Sequence, residues 1–197
     1  MKQIIDKTET GKIKQSLLKK RNGVQKYIEI MEEIKKSDGH ISQNKDFQNK
    51  YKNFYKMHLS RSLTEDFYNE YFKYLEKNYK NKQIEFKDVL EYISNKSNRI
   101  EASFSSKLLV TINPDRVVWD KNVRSQLEIP NAKSFNDAIK LSEELGTKLK
   151  NIYLNTDLGK EYIRIFNETF ENILPIEEIT PIKKIDFVLW SLGEKNV

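Results

Sequence analysis

Asp120 is the residue of this chain whose type and position best suit chemistry at a carboxylate. It follows Trp119 directly and precedes a segment that carries Val123 and Leu127 at helical spacing. Aspartate is a favoured N-cap residue, whose side chain accepts a hydrogen bond from the first turn of a helix and contributes about 1 kcal/mol. A carboxylate is also a side chain that can take part in catalysis. Two interpretations of Asp120 are therefore open, a structural cap and a reactive group.

The other residues that could do chemistry form no catalytic or metal-binding pattern. His40 and His58 stand eighteen residues apart without a matching carboxylate pattern, which favours surface or capping roles. The glutamate pairs 143–144 and 177–178 are adjacent, and adjacent residues on a helix point in different directions. The chain has no cysteine and no glycine-rich phosphate loop, HExxH, EF-hand or GxSxG motif. We therefore expect neither a metal nor another cofactor.

Residues 101–127 (EASFSSKLLVTINPDRVVWDKNVRSQL) resemble the core of the helix-hairpin-helix DNA glycosylases, the superfamily of endonuclease III and of the adenine, 8-oxoguanine and 3-methyladenine glycosylases. In that family an apolar helix leads through a short loop to a Val-Asp-x-x-Val-x-x-x-Leu segment. Residues 119–123 (WDKNV) with Leu127 follow this pattern, and the family's aspartate falls on Asp120. The resemblance implies an all-α, two-lobed helical bundle with a cleft. Residues 1–197 would form a single globular unit, whose N- and C-terminal helices make one lobe and whose central bundle makes the other.

Besides Trp119 in place of the pattern's valine, the chain lacks two features of the family. A glycine-rich hairpin precedes the helix in the family and holds a DNA phosphate through backbone amides. Residues 96–100 (KSNRI) contain no glycine here, although Asn98 tolerates the left-handed geometry that such a hairpin needs. The lysine nucleophile of the bifunctional members falls on Ala102, and Lys107 is the nearest lysine further along. The resemblance therefore implies the monofunctional type.

The chemistry that the resemblance implies is release of a base from DNA, with duplex DNA as the partner. A flipped nucleotide would lose its base through an oxocarbenium-like state, which the Asp120 carboxylate would stabilise. The extruded base could stack on Trp119, Tyr55 or Tyr153, and no spacing argument selects among them. The side chains that the resemblance places at the substrate or at the DNA are Lys96, Arg99, Lys107, Trp119, Lys121 and Arg124.

The positive charge of the chain lies in its first half. The net charge is +6; residues 1–100 hold 22 Lys and Arg against 14 Asp and Glu, whereas residues 101–197 hold 13 against 15. A basic face that attracts phosphates would give this asymmetry. A solvated helical surface in a lysine-rich chain would give it as well.

The elements that must position these residues are predicted to be eight or nine helices, because apolar residues recur at helical spacing and no segment alternates like a strand. An aromatic stripe over residues 67–79 has the spacing of a buried helix face, although aromatics among lysines can also stack on bases. Residues 95–98 look like a break between two helices. Further helix starts are predicted at Ser62 with Glu65, at Ser134, after Gly159, and at Thr180-Pro181.

Three functions remain open at this point: a base-excision enzyme, a non-enzymatic DNA-binding module on the same scaffold, and a helical interaction protein unrelated to nucleic acid. The first two predict salt-sensitive DNA binding, and only the first predicts abasic sites. The apolar runs are short and the N-terminus has no signal-peptide core, so we expect a cytoplasmic protein with no membrane partner.

Overall fold

The computed structural model describes residues 7–57 and 63–193, in which every regular element is helical, so the all-α prediction is confirmed. No helix among these residues is both long enough and apolar enough to cross a membrane. A π-helical turn, Lys150–Leu154, follows α8. The α-helices are α1 (Lys7–Lys19), α2 (Arg21–Lys36), α3 (Lys45–Phe54), α4 (Glu65–Asn78), α5 (Phe86–Ser97), α6 (Ala102–Ile112), α7 (Lys121–Gln126), α8 (Phe135–Leu149), α9 (Asp157–Phe170) and α10 (Pro181–Leu192).

The chain divides into two compact units. The first takes its described residues from Met1–Gln25 and Pro114–Val197, and the second takes them from Lys26–Asn113. One boundary falls inside α2 and the other follows α6 directly. The first unit therefore contains α1, the start of α2 and α7 to α10, whereas the second contains the rest of α2 and α3 to α6.

The core of the second unit is aromatic. The rings of Tyr51 on α3 and Phe72 on α4 meet edge to face at 5.4 Å between centroids. The hydroxyl of Tyr51 lies 3.1 Å from that of Tyr71 and 3.0 Å from Thr111 Oγ1, so these buried polar groups satisfy one another. Burial raises the pKa of Tyr51 well above its usual value. Of the stripe predicted over residues 67–79, Phe67, Tyr68, Tyr71, Phe72 and Leu75 of α4 are buried and belong to the core, whereas Tyr79 follows α4 and is only half-buried.

The core of the first unit is built around α10, whose residues 182, 185 and 187–189 are buried. Ile13 and Leu17 of α1 are buried with them, and Phe166 of α9 stacks on Phe187 at 5.9 Å between ring centroids. Helix α1 was not predicted from the sequence. Its buried face consists of Ile13 and Leu17 alone, and two apolar residues are too few to make a helical pattern recognisable. Contacts with α9 and α10 place α1 in the unit.

Two predicted helix starts are confirmed by their caps. Ser134 Oγ accepts a hydrogen bond from Asp137 N at 3.1 Å, and Thr180 Oγ1 accepts one from Lys183 N at 3.3 Å with Pro181 as the first helical residue. Ser62 lies outside the described residues. The helix expected to start there begins at Glu65, where Thr64 Oγ1 accepts a hydrogen bond from Phe67 N at 3.2 Å.

Two other boundaries were predicted wrongly. Helix α5 continues through residues 95–97, and the break comes at Asn98. Helix α9 does not begin after Gly159, because Thr156 is its cap and Thr156 Oγ1 accepts a hydrogen bond from Gly159 N at 3.2 Å. The reason for glycine at this position is steric, since a Cβ atom at residue 159 would collide with the carbonyl oxygen of Tyr153.

Gly146, in the interior of α8, has no such steric reason. A Cβ atom at this position would meet nothing within 4 Å. Alanine loses less conformational entropy than glycine on folding into a helix, so we expect Gly146→Ala to raise the free energy of unfolding by about 0.5–1 kcal/mol. Urea denaturation followed by circular dichroism measures this change. Gly159→Ala is the matched control and is expected to be destabilised.

Candidate active site

The loop between α6 and α7 is held by hydrogen bonds near its first and last residues. Thr180, the cap of α10, donates from Oγ1 to the carbonyl oxygen of Pro114 at 3.0 Å, which ties the start of the loop to α10. At the other end Val118 and Trp119 are buried, and Asp120 N donates to Val118 O at 2.8 Å. These contacts fix the backbone immediately before Asp120.

Asp120 caps α7 as the sequence predicted. Its Oδ1 accepts hydrogen bonds from Asn122 N at 2.7 Å and from Val123 N at 3.3 Å. Its second carboxylate oxygen accepts no hydrogen bond from the described residues, and the residue is only half-buried. One oxygen therefore holds the orientation of the side chain, and the other is left for a further partner.

Trp119 and Arg124 form a buried support beside this carboxylate. The Arg124 guanidinium carbon lies 4.9 Å from the centre of the Trp119 ring, and both side chains are buried. Arg124 also donates to the carbonyl oxygen of Ile129 at 3.1 Å and to Asn131 Oδ1 at 2.7 Å. Burial lowers the pKa of Arg124, and the Asp120 charge opposes this shift. The guanidinium thus fixes the segment after α7, whereas the neighbouring Lys121 is exposed.

Asp186 on α10 is a buried carboxylate of the same unit, and sequence analysis did not identify it as a candidate site residue. Its Oδ2 lies 2.5 Å from Lys183 Nζ, and both side chains are buried. Its Oδ1 is buried without a hydrogen-bond partner in the described chain. Burial raises the pKa of Asp186, and the negative charge of Asp120 adds to the increase. The i, i+3 spacing of Lys183 and Asp186 indicates an ion pair on one helix, but it does not indicate burial, because such pairs usually lie on the surface.

In the second unit, Asn98 takes the left-handed geometry that its residue type allows, in the turn between α5 and α6. Asn98 ends α5 with φ 55° and ψ 28°, which is left-handed geometry, and α6 begins four residues later. Ser97 Oγ donates to Arg99 O at 3.0 Å and accepts from Arg99 N at 3.3 Å, which closes the turn. Asparagine therefore takes a left-handed conformation that glycine adopts most readily.

The cations of this hairpin already have acidic partners. Lys96 Nζ lies 2.7 Å from Glu70 Oε2, and the Arg99 guanidinium pairs with Glu101. Hydrogen bonds from Lys96, Lys73 and Tyr92 lower the pKa of Glu70 to about 2. Both ion pairs are partly exposed, so they contribute little to stability and exchange readily for other partners.

The structure thus gathers the predicted residues into two groups, one in each unit. Trp119, Asp120, Lys121 and Arg124 lie at the start of α7 in the first unit, and Lys96 and Arg99 lie at the α5–α6 hairpin in the second. Lys107 is on α6 in the second unit, where its Nζ lies 5.0 Å from the centre of the Phe104 ring. Ala102, on which the resemblance of residues 101–127 places the family's lysine, is the first residue of α6 and is buried.

The described residues contain no group of three His, Cys, Asp or Glu side chains that could hold a metal ion. His40 is exposed in the turn after α2, and His58 lies outside the described residues. The other two aromatic residues considered for base stacking, Tyr55 and Tyr153, are buried like Trp119. Tyr153 stacks on Tyr162 at 5.4 Å between ring centroids.

Comparison with known proteins gives no match to a family model, to a curated protein or to a solved structure.

Proposed function

We propose that this chain is a monofunctional DNA glycosylase of the helix-hairpin-helix type, which hydrolyses the N-glycosidic bond of a damaged or modified base in duplex DNA. The observation that carries the proposal is the Asp120 carboxylate, of which one oxygen is fixed by two backbone N–H groups and the other accepts none from the described residues. The order α5, left-handed hairpin, α6, short loop and Asp120 supports it, because it is the order of the family that residues 101–127 resemble.

Base release in this mechanism requires a carboxylate close to the deoxyribose, where positive charge develops as the glycosidic bond breaks. The target nucleotide leaves the base stack, which costs a few kcal/mol and least for a damaged base. The bond between C1′ and the base nitrogen breaks and its electron pair leaves with the base. A base that is neutral in the nucleotide, such as uracil, takes up a proton, whereas cationic 3-methyladenine leaves directly as the neutral base. The Asp120 oxygen that α7 does not use stabilises the positive charge on the sugar. A water oxygen then bonds to C1′ and gives up its proton, which leaves an abasic site.

The remaining candidate residues have supporting roles in this proposal. Trp119 and Arg124 hold the backbone on either side of Asp120, because they are buried against each other and Arg124 is bonded to the segment at 129–131. Lys121 is exposed beside the carboxylate and binds a DNA phosphate. Three cations of the second unit bind DNA phosphates and give up their contacts with Glu70, Glu101 and the Phe104 ring to do so. These cations are Lys96, Arg99 and Lys107.

A DNA-binding module without enzymatic activity is the second candidate. It is favoured by the hairpin at Asn98, where the two cations are already engaged with Glu70 and Glu101 and no glycine opens the backbone to a phosphate. Such a module would bind duplex DNA in a salt-sensitive manner and would release no base. A helical interaction protein unrelated to nucleic acid would show neither property.

The test is an assay for abasic sites. The purified chain is incubated with end-labelled duplexes that each carry one uracil, hypoxanthine, 3-methyladenine or 8-oxoguanine, and the strands are resolved with and without alkali. We expect strand breaks at a modified base only after alkali treatment, because a chain without the family lysine leaves the abasic strand intact. Salt-sensitive binding with no alkali-labile site on any duplex would contradict the enzymatic proposal and support the module.

A further inference from the structure

The turn between α1 and α2 carries three consecutive cations. Lys19 ends α1, Lys20 is the single residue between the helices, and Arg21 begins α2. Residues 7–25 hold six Lys and Arg against one acid, Glu9. Lys19 and Arg21 are exposed, and neither side chain has an ion pair or hydrogen bond within the described chain. The turn and α1 therefore form a concentrated positive surface, in which Lys19 and Arg21 are the exposed cations without an acidic partner among the described residues.

The exposed face of α1 extends this surface. Lys12 and Lys19 are seven residues apart, which places them about 20° apart around the helix and about 10.5 Å apart along it. Gln15 and the acid Glu9 are exposed on the same side of α1, three residues after and three residues before Lys12, so this face carries two lysines and one acid. Charges on one DNA strand recur about every 3.4 Å along the duplex axis, so the two lysines span about three phosphates. The spacing suits a nucleic-acid backbone.

Helix α10 places this basic turn close to Asp120, and all of the contacts involved lie in the first unit. Lys20 Nζ lies 4.6 Å from the centre of the Trp190 ring, and a Cβ atom at Gly23 would lie 3.1 Å from the same ring. Three residues further along, a Cβ atom at Gly193 would collide with Asn122, whose backbone N–H binds the Asp120 carboxylate. The basic turn and the start of α7 therefore adjoin the same C-terminal end of α10.

We propose that Lys12, Lys19 and Arg21 bind the phosphodiester backbone of duplex DNA, and that Lys20 fixes the turn against Trp190 so that the bound strand passes Asp120. This inference rests on the proposed function, since it names the surface that holds the substrate of the same carboxylate. Each cation releases a counterion from the DNA on binding, so the surface contributes affinity without sequence preference.

The experiment measures DNA affinity against salt concentration for three forms of the full chain. They are the parent, Lys19→Ala/Arg21→Ala, and the control Lys140→Ala/Lys150→Ala, which removes the same charge from exposed lysines of the same unit. Fluorescence anisotropy of a labelled duplex is recorded at several KCl concentrations. We expect the first pair of substitutions to lower the slope of log K against log salt by about 1.8 and the affinity at 0.1 M salt by about 50-fold. Lys12→Ala alone is expected to lower the slope by about 0.9.

Each outcome decides between this inference and its alternatives. Equal slopes for the two double variants would overturn the inference, and so would binding of the parent to vesicles of anionic phospholipid but not to DNA. Circular dichroism confirms that the variants are folded, and the single Lys12→Ala variant repeats the test with a smaller perturbation. A parent that binds DNA through this turn but leaves no abasic site would sustain the inference and contradict the enzymatic function.

Discussion

Replacing Asp120 with asparagine is expected to lower the rate of base release at least about 100-fold while leaving the fold intact. The expected loss follows from charge, because a neutral amide cannot stabilise a sugar cation as a carboxylate does. The fold survives because asparagine caps helices as well as aspartate does, and the amide oxygen can accept the same bonds from Asn122 N and Val123 N. Single-turnover formation of alkali-labile sites measures the rate, and thermal unfolding measures the stability.

Two further variants separate catalysis from capping. Asp120→Ala removes both the charge and the cap, so it should lose activity to the same extent and also about 1 kcal/mol of stability. Asp115→Asn changes an exposed aspartate of the same loop and should retain the activity of the parent. If Asp120→Asn and the parent release bases at equal rates, Asp120 is only a helix cap and the activity belongs to other residues.

The sequence predicted the local geometry around the candidate site because capping is decided by short-range chemistry. Asp120, Ser134 and Thr180 each begin a helix as their side-chain oxygens indicated. The left-handed Asn98 was predictable for the same reason, since few residues other than glycine adopt that conformation readily. Each capping bond lies within three residues of the capping side chain, and the φ angle of Asn98 depends on that residue's own type.

The features that the sequence did not indicate depend on contacts between one helical element and another. Gly159 looks like a helix boundary, but it is required by the carbonyl oxygen of Tyr153 against which α9 packs. Helix α1 has only Ile13 and Leu17 as buried residues, too few to predict a helix without α9 and α10. Burial of the pair Lys183 and Asp186 is likewise decided by the other helices of the unit.

The Lys183–Asp186 pair is the feature of the fold with the largest expected effect on stability. Both groups are buried, and Asp186 Oδ1 already has no hydrogen-bond partner in the described chain. Removing the lysine would leave a buried carboxylate with the like charge of Asp120 as a neighbour. Breaking one side of a buried ion pair typically costs 3–5 kcal/mol. We therefore expect Lys183→Ala to lose about 3–5 kcal/mol of unfolding free energy at pH 8.

The loss should depend on pH with a definite sign. Burial raises the pKa of Asp186 in the folded state above its value in the unfolded chain, and losing Lys183 removes the charge that opposes this shift. The folded variant therefore binds a proton more readily than the unfolded one, so its stability falls as the pH rises between the two pKa values. Acidification through this window should recover up to about 1.4 kcal/mol for each pH unit.

Urea denaturation of the parent and of Lys183→Ala from pH 8 down to pH 5 measures the difference at each pH. Lys183→Met/Asp186→Asn is the matched control, because it removes both charges together and should retain most of the stability at every pH. A deficit that stays constant over the pH range would show that lost packing of the lysine stem, rather than an unpaired carboxylate, destabilises Lys183→Ala. A deficit that grows on acidification would contradict the raised pKa of Asp186.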